Sequence, residues 1–376
     1  MSAATYDVVI VGAGIVGAAC AYTCVGEGMR VAVVDRDVIG GGATGAGMGH
    51  IVVMDDSEAQ FALTRYSQQL WQQLRVELAS DVEYEQCGTI WVAADEEEMA
   101  EARRKQGYYT KRGVPAEILA PETLEDLEPN LRKGLAGGLL VPEDGVLYPP
   151  CAARFLVEGA QAGGATFHSG CSALQIGKGT VRLSNGGEFS AGVIVNATGA
   201  SAAALTPGLK INNRKGHLVI TDRYPRFLSH QLVEFGYLKS AHSLTSDSVA
   251  FNVQPRSTGQ VLIGSSRQYG AEHKEVDTSI LTRMLQRAQE YMPGLARMST
   301  IRIWTGFRPA TPDNLPLIGP WLEDSTLYLA TGHEGLGITT SLASARLLAD
   351  QVTGKRPAIP IEPYLPSRVS MEHAHA

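Results

Sequence analysis

The chain has 376 residues, with 32 lysines and arginines against 39 aspartates and glutamates and a net charge of −7. That length accommodates two domains, or one nucleotide-binding domain with a large insertion. The acidic balance excludes the basic footprint that nucleic-acid binding needs.

The five cysteines, Cys20, Cys24, Cys87, Cys151 and Cys171, stand at no metal-ligand spacing. They read as free thiols of a reducing compartment, so a cytoplasmic protein without a metal is expected. The stretch "VVIVGAGIVGAACAYTCV" is apolar over 18 residues, about the length of a membrane span. No basic residue precedes it and its glycines are spaced for another purpose, so neither a signal peptide nor a transmembrane helix is expected. Peripheral association with the inner face of a membrane stays open.

Taken in order, "YDVVIVG" (6–12) reads as a buried strand, "AGIVGAACAYTCVGEG" as a helix ending at Gly28, and "RVAVVD" (30–35) as a second buried strand. This strand–helix–strand unit implies a parallel sheet with a right-handed crossover. A Gly-rich loop, "IGGGATGAGMGH" (39–50), follows. Leu63, Tyr66, Leu70, Leu74 and Leu78 then keep helical spacing over 58–79. The charge-dense 95–112 reads as a solvated helix face, and Pro150 suits the first turn of the next helix. Strand-and-turn chemistry returns through "GVIVNATG". Longer strands fill 213–319 around one helix at 278–291, and 327–352 reads strand, Gly-rich turn, helix. The tail "MEHAHA" reads as disordered.

"GAGIVG" places Gly12, Gly14 and Gly17 at the spacing of a dinucleotide-binding turn. The first glycine allows the tight turn, the second admits a pyrophosphate, and the third lets the helix pack on the strand. The helix N-terminus offers unpaired N–H groups to phosphate oxygens. Asp35, at the end of the second strand, can accept bonds from both ribose hydroxyls. The loop does not distinguish NAD from FAD. The glycines at 40–49 and the late "GHEGLGITT" favour the longer cofactor, FAD.

Within "TGFRPATPDNLPLIG" (305–319), Arg308 follows the alternating "STIRIW" (299–304). The pattern puts it just past a strand end, in a Pro-bounded loop. An arginine there is either a solvated surface residue or aimed at an anion.

Taken together, "VVIVGAGIVGAACA", Asp35, "GGGATGAGMGHI", "VIVNATG", "GFRPATPDNLPLIG" and "GHEGLGITT" resemble the D-amino-acid oxidase/glycine oxidase family of flavoproteins over nearly the whole chain. The resemblance implies an α/β fold: a doubly wound, Rossmann-like FAD-binding domain (1–85, 150–212 and 320–376). Into it is inserted a substrate domain (86–149 and 213–319) on a large mixed or antiparallel sheet. It implies that Gly12, Ala13, Gly14, Ile15, Val16 and Gly17 form the phosphate loop, and that Asp35 and Arg36 hold the ribose region. Ala43, Thr44 and Gly199 would lie near the pyrophosphate, Ala173 by the adenine, and Met48, Gly49 and His50 against the isoalloxazine. His333, Glu334, Gly335, Leu336, Gly337, Ile338 and Thr339 would wrap the pyrimidine end. A helix beginning near Ile338 would aim its N–H groups at the negative charge of the reduced ring. Arg308 matches the arginine that binds the substrate carboxylate, for which a planar fork of donors is suited. His50 is a candidate for tuning the site or accepting a proton, and equally for a core histidine.

Three positions depart from the family pattern. Gly306 stands where sarcosine oxidases carry a flavin-bonded cysteine, so the FAD is expected to be non-covalent. Leu262 stands where those enzymes carry an oxygen-activating lysine, which weakens an oxidase reading. Gly335 and Asn252 replace a second arginine and a tyrosine of glycine oxidases, leaving Arg308 to work with other helpers, backbone N–H groups among them. "GHIVVMDDSEAQFALTRYS" and "TGHEGLGITT" resemble most closely the D-hydroxyproline dehydrogenases and opine or imino-acid dehydrogenase subunits. The expected reaction is hydride transfer from the Cα of a small D-amino or cyclic imino acid to flavin N5. Electrons would pass to a quinone, a partner subunit or an artificial dye, in a protein acting alone, as a homo-oligomer or within a complex. The alternative is a glycine/sarcosine-type oxidase that makes hydrogen peroxide.

Overall fold

A computed structural model of the chain describes residues 5–236 and 247–370; the tail "MEHAHA" lies outside them. Among the described residues, the strands sort into two eight-stranded sheets and a two-stranded ribbon. The first sheet runs in the order Leu317–Trp321, Asp324–Thr331, Glu188–Asn196, Thr5–Val11, Val31–Val34, Thr166–His168. A hairpin of Ala173–Gly177 and Thr180–Leu183 extends it. Its central pairings are parallel. A parallel sheet needs both faces covered, which explains the unbroken apolar runs "VVIV" and "VAVV". Val8, Val9 and Ile10 are wholly buried.

Helices Ile15–Gly26, Pro149–Ala162 and Gly337–Thr353 pack against this sheet and one another. Small residues let them approach: a Cβ at Gly159 would lie 2.7 Å from the Tyr22 ring, and one at Gly163 would lie 2.3 Å from Val25. Each aliphatic side chain so buried contributes roughly 1.5–3 kcal/mol.

The second sheet follows the order Thr300–Ala310, Asn212–Arg223, Gln260–Arg267, Ser248–Pro255, Gln231–Glu234, Thr89–Ala93, Gly137–Val141, Glu117–Leu119. It is antiparallel apart from the pairing of Gln231–Glu234 with Thr89–Ala93, and so mixed, as expected. Side chains alternate across it. Ile90, Val92, Leu232, Val219, Phe251, Val253 and Ile263 form a core with the helix Thr278–Tyr291. There Phe251 stacks on Tyr291 at 4.5 Å between ring centroids. The intervening residues face a cleft below the sheet.

Three expectations need correction. Arg308 is not in a loop: the strand Thr300–Ala310 carries through it, paired Arg214 to Arg308 and Asn212 to Ala310. Pro309 does not stop it, because this is the sheet's outermost strand, where a missing N–H is tolerated. The helix expected over 58–79 is Glu58–Leu74, capped by Ser57, followed by a short 3₁₀ turn. The charge-dense helix Glu96–Thr110 is not wholly solvated. Lys105 is fully buried, ion-paired with Asp55 and lying over Trp91 and Tyr109. A lysine can be buried when its charge is paired.

Candidate active site

A cleft of about 710 Å³ runs from the end of the first sheet to beneath the second. At its near end, the chain makes a cradle from backbone. Gly12 has φ +109°, and a Cβ there would lie 2.6 Å from the carbonyl oxygen of Ala197. A Cβ on Gly17 would lie 1.9 Å from the oxygen of Gly12, so only glycine lets the helix start this close to the strand. Thr44 Oγ1 accepts the Ile15 N–H at 2.9 Å and so supports the first turn of that helix. Asp35 accepts the Ala13 N–H at 2.5 Å and the Asp37 N–H at 2.8 Å. Two backbone donors fix this carboxylate at the cleft edge, beside Arg36 and Ala173.

Further along, Met48, Gly49 and His50 line the wall. Gly49 has φ +105° and no room for a Cβ, which would meet the Leu147 oxygen at 2.0 Å. Gln254 donates to the Met48 carbonyl at 2.6 Å, tying this wall to the second sheet. Thr339 donates to the His50 carbonyl at 2.7 Å, tying it to the C-terminal helix. That helix starts at Gly337, so the N-termini of two helices, with Gly14 and Ile15 on one and Gly337 and Ile338 on the other, face the same cleft. Both present positive dipole ends.

The roof comes from every second residue of the sheet. Thr89 and Trp91 contribute to it, as do Gln231 and Val233, Asn252, and Ser265 and Arg267. Arg214, Gly216 and Leu218 complete it with Gly306 and Arg308. Arg308 donates through Nη1 to the Ser266 carbonyl at 2.8 Å. Its guanidinium lies over Gly216, where a Cβ would sit 2.7 Å from Nη1 and Nη2. Its stem runs along Gly335, whose Cβ would be 3.8 Å from Cδ. Glu334 has φ +50° and turns its carboxylate into the arginines, 3.5 Å from Arg267 Nε and 3.7 Å from Arg214 Nη1. Burial works to raise its pKa, but Arg267, Arg308, Arg214 and the Gly335 N–H together hold it below the usual range.

His50 faces Arg308 and Gln254. Burial and the Arg308 charge push its pKa down to about 4, so the ring is neutral near pH 7. Its Nε2 is buried and has no hydrogen-bond partner. A buried polar atom of this kind requires a ligand or solvent partner. His333 is also neutral, driven by burial to about 3, with Nε2 2.9 Å from Ser344 Oγ.

Most of the expected residues line the cleft: Gly12, Gly14, Ile15, Val16, Asp35, Arg36, Ala43, Thr44, Met48, Gly49, His50, Ala173, Gly199, Arg308 and His333 to Ile338. Three do not. Ala13 spends its N–H on Asp35, Gly17 lies under Gly12, and Thr339 is occupied with His50 and Val52. They shape the cleft without forming its surface. Sequence reasoning missed Arg214 and Arg267. Their signal was the strand period, which puts Arg214 on the same face as Gly216 and Ser265 on the same face as Arg267.

Residues 7–351 match the DAO family, FAD dependent oxidoreductase. The chain belongs to this family. It is 29% identical to the glycine oxidase of Geobacillus kaustophilus, with 96% of each chain covered. It is also 29% identical to the hydrogen cyanide synthase subunit HcnC of Pseudomonas aeruginosa, with 98% of each covered. The crystal structure of the Geobacillus kaustophilus glycine oxidase superposes with a TM-score of 0.86 at 27% identity, covering 96% of this chain and 98% of that one. The protein is therefore an FAD-dependent oxidoreductase. The glycine cradle, the Asp35 carboxylate at the cleft edge and the orphaned His50 nitrogen fit that cofactor. Among the described residues, no helix is long and apolar enough to cross a membrane.

Proposed function

We propose that the protein is a dehydrogenase of D-amino or cyclic D-imino acids, with D-hydroxyproline or D-proline as substrate and Δ1-pyrroline carboxylate as product. The observation that carries this reading is Arg308, held under the roof against Gly216 and aimed into a cleft that an FAD-binding cradle opens. Its fork would hold the substrate carboxylate bidentately. In this reading the first sheet and its helices form the FAD domain (1–85, 150–212, 320–376), and the second sheet forms the substrate domain.

Asp35 would hold the ribose, the two helix N-termini the phosphates and the pyrimidine end, and Met48 to His50 the ring edge. Bound FAD supplies the two-electron oxidation of the substrate's Cα–N bond. The chain's residues bind and orient the substrate so that Cα lies within about 3–3.5 Å of its acceptor atom. The neutral His50 is too weak a base at pH 7 to take a proton from an ammonium group. It serves as a hydrogen-bonding wall, and the amine enters already neutral.

Two residues speak to the acceptor and to cofactor attachment. Leu262 is buried against Met48 and Leu218, so the place at which the family's sarcosine oxidases carry a lysine is apolar here. A Cβ at Gly306 would lie 2.3 Å from the Ala46 Cβ; that leaves no room for a flavin-bonding cysteine and supports non-covalent FAD. A quinone, a partner subunit or a dye would then take the electrons, and similarity to a hydrogen cyanide synthase subunit supports a complex. The second reading, a glycine/sarcosine oxidase, is favoured by the glycine oxidases among the relatives. Substrate-reduced protein admitted to air decides between them: slow reoxidation with little peroxide supports the dehydrogenase, and immediate reoxidation with stoichiometric peroxide supports the oxidase.

A further inference from the structure

The roof of the cleft carries polar atoms to which neither the cradle nor a carboxylate on Arg308 gives a task. Val233 pairs with Trp91 on one side and with Asn252 on the other, so these side chains form one row across three strands. Gln231, two residues before Val233, points to the same face. It is the diagonal neighbour of Asn252, within reach of a long side chain. All four residues line the cleft. Gln231, Asn252 and Trp91 are only 2%, 7% and 3% exposed. Yet among the described residues Gln231 Oε1, Asn252 Oδ1 and Trp91 Nε1 are buried atoms without a hydrogen-bond partner. Such atoms are costly to leave unmet. The surroundings are apolar: Val52, Met54 and Leu336 pack in one cluster with Trp91 and Val233, and all five line the cleft. Leu336 follows Gly335, along which the Arg308 stem runs, so this apolar stretch begins beside the carboxylate-binding arginine.

We propose that Gln231, Asn252 and Trp91 form a subsite for a hydroxyl group carried on the substrate ring, away from Cα. The inference rests on the cyclic D-imino acid reading above and narrows it to the hydroxylated ring. Its chemistry follows from what each atom can give or take. The indole N–H only donates, and the two carboxamide oxygens only accept. A hydroxyl does both, so one group serves the indole and a carboxamide at once. An ammonium group would leave the indole unmet, and a carboxylate has no proton to give the carboxamide oxygens. The ring carbons would lie against Val52, Met54 and Leu336. An unsubstituted ring leaves the three polar atoms unserved, which is how a site built around a hydroxyl discriminates against the analogue that lacks it.

The test uses the FAD-loaded protein in two arms. The first compares cis-4-hydroxy-D-proline with D-proline and with cis-4-methyl-D-proline, which fills similar space without a hydroxyl, by kcat/KM with a dye acceptor. A preference of about ten-fold or more for the hydroxylated ring over both is expected. Asn252→Leu and Gln231→Met keep size and lose the amide, and each is expected to shrink that ratio by about ten-fold. Trp91→Phe keeps an aromatic face for Lys105 and loses the N–H, and is expected to shrink the ratio less. Arg308→Lys lowers all three substrates alike. The second arm needs no turnover: perturbation of the flavin spectrum gives the Kd of cis-3-hydroxycyclopentanecarboxylate against cyclopentanecarboxylate. Tighter binding of the hydroxy acid that Asn252→Leu abolishes supports the subsite even if no amine is oxidised, and the functional reading alone would then fail. Equal kcat/KM for the three rings, a hydroxyl preference that survives all three roof substitutions, or equal Kd values for the two ring acids would overturn the proposal. In the first two cases the functional reading stands, because cyclic imino acids are still oxidised.

Discussion

The cradle and the roof of this cleft are built by different means. The cradle is local and made of backbone: within Thr5 to Asp37, glycines bring a helix N-terminus against a strand, and a single carboxylate, Asp35, is fixed by two N–H donors. The roof is long-range and made of side chains. Arg214, Arg267 and Arg308 come from three strands that the sheet register brings together, and Glu334 joins them from the turn before the C-terminal helix. The first kind of site tolerates almost no change of shape, and the second almost no change of charge.

The sharpest break is expected in the cradle. Gly17→Val has no space for even its first carbon, so the purified protein should be colourless and should not take up added FAD, as read by the absorbance ratio of flavin to protein. In the roof, Arg308→Lys should keep the yellow colour and lose roughly 10²–10³-fold in kcat/KM, since removing one partner of a buried charge pair costs about 2–5 kcal/mol and a point charge cannot replace the fork. Gly216→Ala joins the two modes, because a methyl there displaces the Arg308 guanidinium from its seat. A loss of about ten-fold or more in kcat/KM, with FAD retained and a small change in unfolding temperature, is expected from steady-state kinetics and thermal melts.

A smaller effect is expected from pH. His50 and His333 have folded pKa values near 4 and 3, below the unfolded value of about 6.5. The unfolded chain therefore takes up protons first, and the stability these residues contribute is present above about pH 6.5 and lost as pH falls towards 4. Asp144 acts oppositely. Burial raises it to about 7 against hydrogen bonds from Thr89, Val53 and Gln68, so its contribution is lost as pH rises towards 7. Two histidines against one aspartate leave a net loss on acidification. Melts of the apoprotein from pH 7 to 4.5 should show a falling unfolding temperature, with a shallower slope in His333→Gln.

The same contrast explains what could be read in advance. The cradle was legible because its signals lie within about 30 residues of one another and each glycine has one physical reason. The roof was half legible. Arg308 stood out by its flanking residues, but its secondary structure was misread, since Pro309 looks like a stop until the strand is known to be an edge. Arg214 and Arg267 lie in ordinary-looking strands, and only the register of three strands shows that they converge. Lys105 looked like one more surface charge in a charged helix; its burial depends on Asp55, 50 positions away in sequence. Long-range pairing, which a single sequence does not encode locally, accounts for each of these differences.

The central claim is that Arg308 holds a carboxylate against an oxidising flavin. It is tested most directly by anaerobic mixing of the yellow protein with D-proline, and in parallel with pyrrolidine, the same ring without the carboxylate, and with D-glutamate and glycine. The account predicts bleaching of the flavin by carboxylate-bearing amines, none by pyrrolidine, and a large slowing in Arg308→Lys. Bleaching by pyrrolidine as fast as by any amino acid, undiminished in Arg308→Lys, would contradict it.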